Sequence, residues 1–251
     1  MSDSQPDPSY LELSDGGRLA YRMRAGAAPT LVFLPGYASD MDGTKAVALD
    51  AFAQRRGVAM LRFDYSGTGS SDGSFEDGTL ANWLDEALAM IDRLTEGPVI
   101  LIGSSMGGWI ALHVAMRAAG RVQALVGIAA APDFTDWGFS PDDKTALARD
   151  GKLARPNHYG GARQLTTHAF WQSGETLRLL GGPIAVDCPV RLVHGDADGD
   201  VPVEVAIKLM RQLRSADVQL NILKSGGHRL SEPREIDAIV RTVAALLEPV
   251  P

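Results

Sequence analysis

The chain has 251 residues, 24 Lys and Arg against 31 Asp and Glu, and a formal net charge of −7 at pH 7. That balance, with no run of basic residues, argues against a nucleic-acid backbone binder and against an anchor to an anionic membrane surface. With 45% hydrophobic and 22% charged residues, 27 Gly and 14 Pro, the composition is globular, neither disordered nor low-complexity.

The single cysteine, Cys188, excludes an intramolecular disulfide framework and a Cys-rich zinc module. It stands before Pro189 with no neighbouring His and reads as a buried structural thiol. The opening residues Met1-Ser2-Asp3-Ser4-Gln5-Pro6 carry neither the basic nor the apolar region of a signal peptide. No apolar run approaches the roughly 18 residues of a membrane span. A cytoplasmic protein is the expectation.

In chain order, residues 10–14 and 18–24 flank Asp15-Gly16-Gly17 and predict a hairpin. An alternation of strands and helices follows. The apolar run 30–34 ends at Pro35-Gly36 and predicts a buried strand. Residues 45–56 carry Ala46, Leu49, Phe52 and Ala53 at helical spacing. A strand is expected over 58–63 and a helix over 80–94, then a strand over 99–102, a helix over 105–119 and a strand over 123–129. From about 133 to 187 the rhythm breaks into short helical patches, including 144–149 and 166–180. It resumes with a strand over 189–193, a helix over 203–213, a strand over 218–223 and a helix over 233–247. Such alternation predicts a mostly parallel sheet of about eight strands covered by helices on both faces. The expected organisation is a core of 1–132 and 188–251, with a helical lid of 133–187 inserted after the sixth strand.

The sharpest motif is Gly103-Ser104-Ser105-Met106-Gly107, directly after an apolar strand and before a helix. That context makes Ser105 a candidate nucleophile on a tight turn, with a helix N-terminus behind it to favour a developing oxyanion. The bland alternative is that Ser104 and Ser105 only cap the helix. A serine needs a base, and the base an orienting acid. In this type of site the chain order is Ser, then Asp or Glu, then His. Of His113, His158, His168, His194 and His228, only His228 follows an acid placed after the 189–193 strand. The acid is sought among Asp196, Asp198 and Asp200; we take Asp198, leaving the other two as solvated loop carboxylates and His194 as a loop-holding residue. The same loop resembles a calcium loop only weakly, because Ile207 occupies its twelfth position and no helix precedes it. Two backbone N–H groups should form an oxyanion hole: that of Met106, after the nucleophile, and that of Tyr37, since Pro35 has none. The glycine-rich run 64–73 misses dinucleotide spacing. No cofactor and no metal are implied.

The 133–187 segment holds Phe134, Trp137, Phe139, Tyr159, Phe170 and Trp171 of the chain's 16 aromatic residues. It reads either as a lid over an acyl group or as small helices packing on the core. On the lid reading, Trp137, Phe139, Phe170 and Trp171 are candidate substrate-binding residues.

These residues resemble the α/β-hydrolase superfamily. Phe33-Leu34-Pro35-Gly36-Tyr37, Met41-Asp42-Gly43-Thr44-Lys45, the run 62–73, Gly103-Ser104-Ser105-Met106-Gly107-Gly108-Trp109, His194-Gly195, Val201-Pro202 and His228-Arg229 look like its mitochondrial abhydrolase-domain thioesterases. Those enzymes depalmitoylate proteins and hydrolyse mycophenolic acid acyl-glucuronide. The resemblance implies nucleophile, acid and base at Ser105, Asp198 and His228, and a small-molecule or acylated-protein ester or thioester as substrate. No mitochondrial presequence is recognisable here, so localisation is not expected to carry over. Other readings are a same-fold hydrolase of amide or C–C bonds and a non-catalytic ligand receptor. Nothing in the pattern specifies an oligomeric state.

Overall fold

The computed structural model describes residues 7–14, 16–156 and 163–248. A hairpin of β1 (Ser9–Glu12) and β2 (Arg18–Arg24) leads into β3 (Ala27–Leu34), α1 (Thr44–Arg56), β4 (Val58–Phe63), α2 (Leu80–Leu94), β5 (Val99–Ser104), α3 (Met106–Arg117) and β6 (Val122–Ile128). Then come α4 (Phe134–Trp137), α5 (Pro141–Asp150), β7 (Lys152–Arg155), β8 (Gln164–Thr167) and α6 (His168–Thr176). The chain closes with β9 (Val190–Gly195), α7 (Val203–Gln212), β10 (Val218–Leu223) and α8 (Pro233–Leu247). Eight strands form one sheet in the order β1-β2-β4-β3-β5-β6-β9-β10. Pairing is antiparallel at β1/β2 and β2/β4 and parallel from β4 onward.

The uninterrupted apolar runs of β3 and β5 follow from burial on both faces of the sheet. Successive side chains point to opposite sides. Val32, Leu34 and Leu101 therefore join Trp83 of α2 and Trp109 of α3, whereas Leu31, Phe33, Ile100 and Ile102 meet Phe52 of α1 and Ile239 of α8. Helix starts carry local signals. The Thr79 hydroxyl accepts the Asn82 N–H at α2, and Glu232 with Glu235 forms a capping box before α8, where Pro233 needs no N–H partner.

The described residues of 133–187 share this core. The buried Asp133 carboxylate accepts the Leu179 and Leu180 N–H groups, each at 2.7 Å. The Trp109 indole donates to the Leu177 carbonyl at 3.0 Å, and the His113 ring meets the same oxygen at 2.8 Å. Phe170 is 1% exposed and belongs to the main cluster, its ring tilted against Tyr37 at 4.7 Å, Trp83 at 5.5 Å and Phe134 at 5.8 Å. Two features went unforeseen: α4, one turn long, and the β7/β8 hairpin, whose four-residue strands are too short to set a legible period. The helix expected over 166–180 is shorter, His168–Thr176, and its start is set by the Thr167 hydroxyl, which accepts the Phe170 N–H.

Deleting a core aromatic leaves a cavity as well as lost transfer energy. Phe170→Ala should therefore lose about 3–5 kcal/mol of unfolding free energy, read by denaturant melts; a loss below about 1 kcal/mol would mean that the segment does not share the core.

Candidate active site

The carboxyl ends of β3, β5 and β9 and the loop after β10 converge on one cleft. Ser105 sits between β5 and α3 with φ 54° and ψ −118°, a conformation a side chain adopts only when its surroundings compel it. Here the compulsion is visible. The Ser105 N–H donates to the Ile128 carbonyl at 2.9 Å, and its carbonyl accepts the Gly108 and Ala131 N–H groups at 2.9 and 3.1 Å. The flanking glycines allow close approach: a Cβ at Gly103 would overlap the Gly107 carbonyl, and one at Gly107 would overlap the Leu34 carbonyl oxygen. The spacing of the motif is thus a packing requirement. The capping alternative is not what is found, since the Ser105 side chain makes no cap hydrogen bond to α3.

The Ser105 hydroxyl lies 3.0 Å from Nε2 of His228, and Nδ1 of that ring lies 2.9 Å from Asp198 Oδ2. The Asp198 side chain is fully buried. Its other oxygen accepts the Asp200 and Val201 N–H groups at 2.9 and 2.8 Å. Burial works to raise the Asp198 carboxyl, but the His228 hydrogen bond and charge, with the two N–H donors, hold it below the usual carboxylate range. An ionised Asp198 keeps the proton on Nδ1, so the lone pair of Nε2 faces the Ser105 hydroxyl. The structure brings together the three residues expected from the sequence.

The neighbouring loop residues have holding roles. His194, 1% exposed, contacts the Val201 carbonyl through Nε2 at 2.8 Å. Exposed Asp196 accepts the Lys224 ammonium at 2.8 Å and the Ser225 N–H at 2.5 Å, which ties the loop carrying His228 to the loop carrying Asp198. The sequence reading of Asp196 as merely solvated missed this tie. The glycine-rich run is packed about buried Asp64, which accepts the Met41 and Ser70 N–H groups at 2.7 and 2.8 Å. Cys188 is half-buried, and burial pushes its thiol up to about 11. Among the described residues no cluster of three or more His, Cys, Asp or Glu is placed to hold a metal ion, and no helix is long and apolar enough to cross a membrane.

Gly36 lies directly over the Ser105 turn: a Cβ there would stand 3.2 Å from the Ser104 carbonyl and 3.3 Å from Ser105 Cβ. Tyr37 is anchored by its phenol, which donates to the Leu165 carbonyl at 2.6 Å and which burial pushes upward. Among the described residues, the Tyr37 and Met106 N–H groups donate to no backbone carbonyl outside their own elements.

The cleft measures about 690 Å³, and Phe75, Phe134, Trp137, Phe139 and Leu165 line its apolar part. Of the expected substrate-binding residues, Trp137 and Phe139 line it. Phe170 and Trp171 do not, and that expectation is corrected: Phe170 is consumed by the core, and the Trp171 indole turns away to donate to the Thr135 carbonyl at 2.9 Å. Tyr159 lies outside the described residues. Sequence reasoning missed the basic lining of Lys45, Arg155, Arg163 and Arg229, because these positions are far apart in the chain and the net charge is negative.

A strand, a strained serine turn and a helix, with acid and histidine loops at the same sheet edge, define a hydrolase of α/β architecture. The family model for the alpha/beta hydrolase fold matches residues 29–169, and the chain belongs to that family. It is 38% identical over 244 residues to the human mitochondrial palmitoyl-protein thioesterase ABHD10, covering 96% of this chain and 80% of that protein. The mouse alpha/beta hydrolase domain-containing protein 10 superposes with a TM-score of 0.90 at 37% identity, over 96% of this chain and 98% of that one. A hydrolase from Agrobacterium vitis S4 matches at 0.91 and 39%, over 97% and 100%. The cytoplasmic location expected from the sequence is overturned here, because the human, orangutan and bovine relatives are named mitochondrial.

Strain at Ser105 gives a test independent of turnover. Backbone strain of this kind costs of order 1–3 kcal/mol, and glycine relieves it at an unfolded-state cost of about 0.4–1 kcal/mol. Ser105→Gly should therefore melt with about 1 kcal/mol more stability than Ser105→Ala; equal stabilities would show that the turn is unstrained.

Proposed function

We propose that this chain hydrolyses acyl thioesters and esters through Ser105, His228 and Asp198. The observation that carries the reading is the continuous hydrogen-bond chain from the Ser105 hydroxyl through His228 to buried Asp198, in a cleft lined in part by aromatic side chains. His228 takes the Ser105 proton as Oγ attacks the acyl carbonyl. The tetrahedral oxyanion forms against the Tyr37 and Met106 N–H groups. His228 then protonates the departing thiol or alcohol, and an acyl-serine remains. Water, deprotonated by the same ring, releases the acid and restores Ser105. Asp198 stays ionised and stabilises the imidazolium formed in each half-reaction.

The thioester arm rests on the relatives named palmitoyl-protein thioesterase. Phe134, Trp137 and Phe139 offer the acyl chain an apolar wall, and the described part of 133–187 acts in this reading as a cap fixed to the core.

Two variants test the assignment on p-nitrophenyl esters and on matched acyl thioesters. Ser105→Ala should abolish turnover of both while the fold is retained. Asp198→Asn should lower kcat by about 10³–10⁴-fold by leaving the wrong tautomer on His228. Undiminished turnover in Ser105→Ala contradicts the nucleophile assignment.

A further inference from the structure

Lys45 breaks two local rules. It lies in the first turn of α1, where the positive end of the helix dipole disfavours a cation, and it is half-buried beside another cation, Arg229. Local violations of this kind accumulate where a residue serves the site more than the fold. The lysine side chain lines the same cleft as Ser105 and His228. Its ammonium donates to the carbonyl of Arg229, the residue after His228, at 2.5 Å.

We propose that Lys45 is a positioning residue: it tethers the loop that carries His228 to α1 and so fixes the imidazole over the Ser105 hydroxyl. The Asp196 loop ties down the opposite end of that segment. Asp196 holds Lys224 and Ser225, and the Gly226 carbonyl accepts the Ala197 N–H at 3.0 Å. Lys45 grips the segment on the far side of His228, so the ring is held from both flanks. Glu235 of α8 also faces the ammonium, and Arg155, Arg163 and Asp200 line the cleft around it. Burial and the Arg229 charge pull the Lys45 ammonium down to about 8, against the opposing pull of Glu235. The charged donor is thus present at neutral pH and is lost as the pH rises through that value.

The inference rests on the serine-hydrolase reading, and the test separates the two. Steady-state kinetics on a p-nitrophenyl ester between pH 6 and 10 compare wild type, Lys45→Met, Lys45→Arg and Lys45→Gln, with thermal melts confirming the fold. A misplaced base costs about 10- to 100-fold, so Lys45→Met should lower kcat by that factor with KM little changed. Wild-type kcat should fall above about pH 8; Lys45→Met should lack that limb, and Lys45→Arg should restore most of kcat and move the limb upward. A purely structural lysine would lower the melting temperature and leave the pH profile alone. Folded Lys45→Met with wild-type kcat and an unchanged alkaline limb overturns the proposal. If Lys45→Met does not fold, Lys45→Gln decides, since retention of the limb in that neutral variant overturns it equally. A wild type that turns over no ester or thioester brings down the serine-hydrolase reading itself, and this inference with it.

Discussion

Ser105 is held at φ 54° by hydrogen bonds on both of its backbone polar groups, and the neighbouring architecture is arranged so that this conformation has no escape. The Ile128 and Ala131 contacts come from the end of β6 and the residues after it, the glycine approaches from β3 and β5, and the helix behind begins at Met106. A turn of this kind needs parallel strands on either side, because only their carboxyl ends deliver carbonyls and loops to the same point. The central sheet is in this sense the support for one strained residue, and the loops of Asp198 and His228 are hung from β9 and β10 at the same edge.

The electrostatics follow from that placement. A carboxylate as buried as Asp198 would ordinarily neutralise; two N–H donors and the His228 ring keep it charged. The charge in turn fixes which nitrogen of His228 is free. Burial, tautomer and the Ser105 hydroxyl are therefore links of one chain, and the loop ties from Asp196 and Lys45 hold the loops that carry it.

Much of this was legible in the residue pattern. The strand runs at 30–34 and 99–102 and the helical spacing of 80–94 are dictated by burial on known periods, and the elements lie where those periods put them. Ser105 and His228 were readable because turn chemistry and chain order constrain them. Asp198 is one of three aspartates at alternate positions, and only the fold distinguishes its buried side chain from exposed Asp196 and Asp200. The failures share one cause. The lid reading places Phe170 and Trp171 at the cleft because an aromatic residue in an irregular segment fits a core or a pocket equally well, and the Lys45 contact spans 184 residues. Long-range placement of that kind leaves no local period to read.

The most direct measurement is covalent labelling with a fluorophosphonate followed by peptide mass mapping. The account predicts one adduct, on the Ser105 hydroxyl, formed rapidly in the wild type and far more slowly when His228 is replaced by Ala. An unlabelled wild type, or an adduct on another residue, would contradict it.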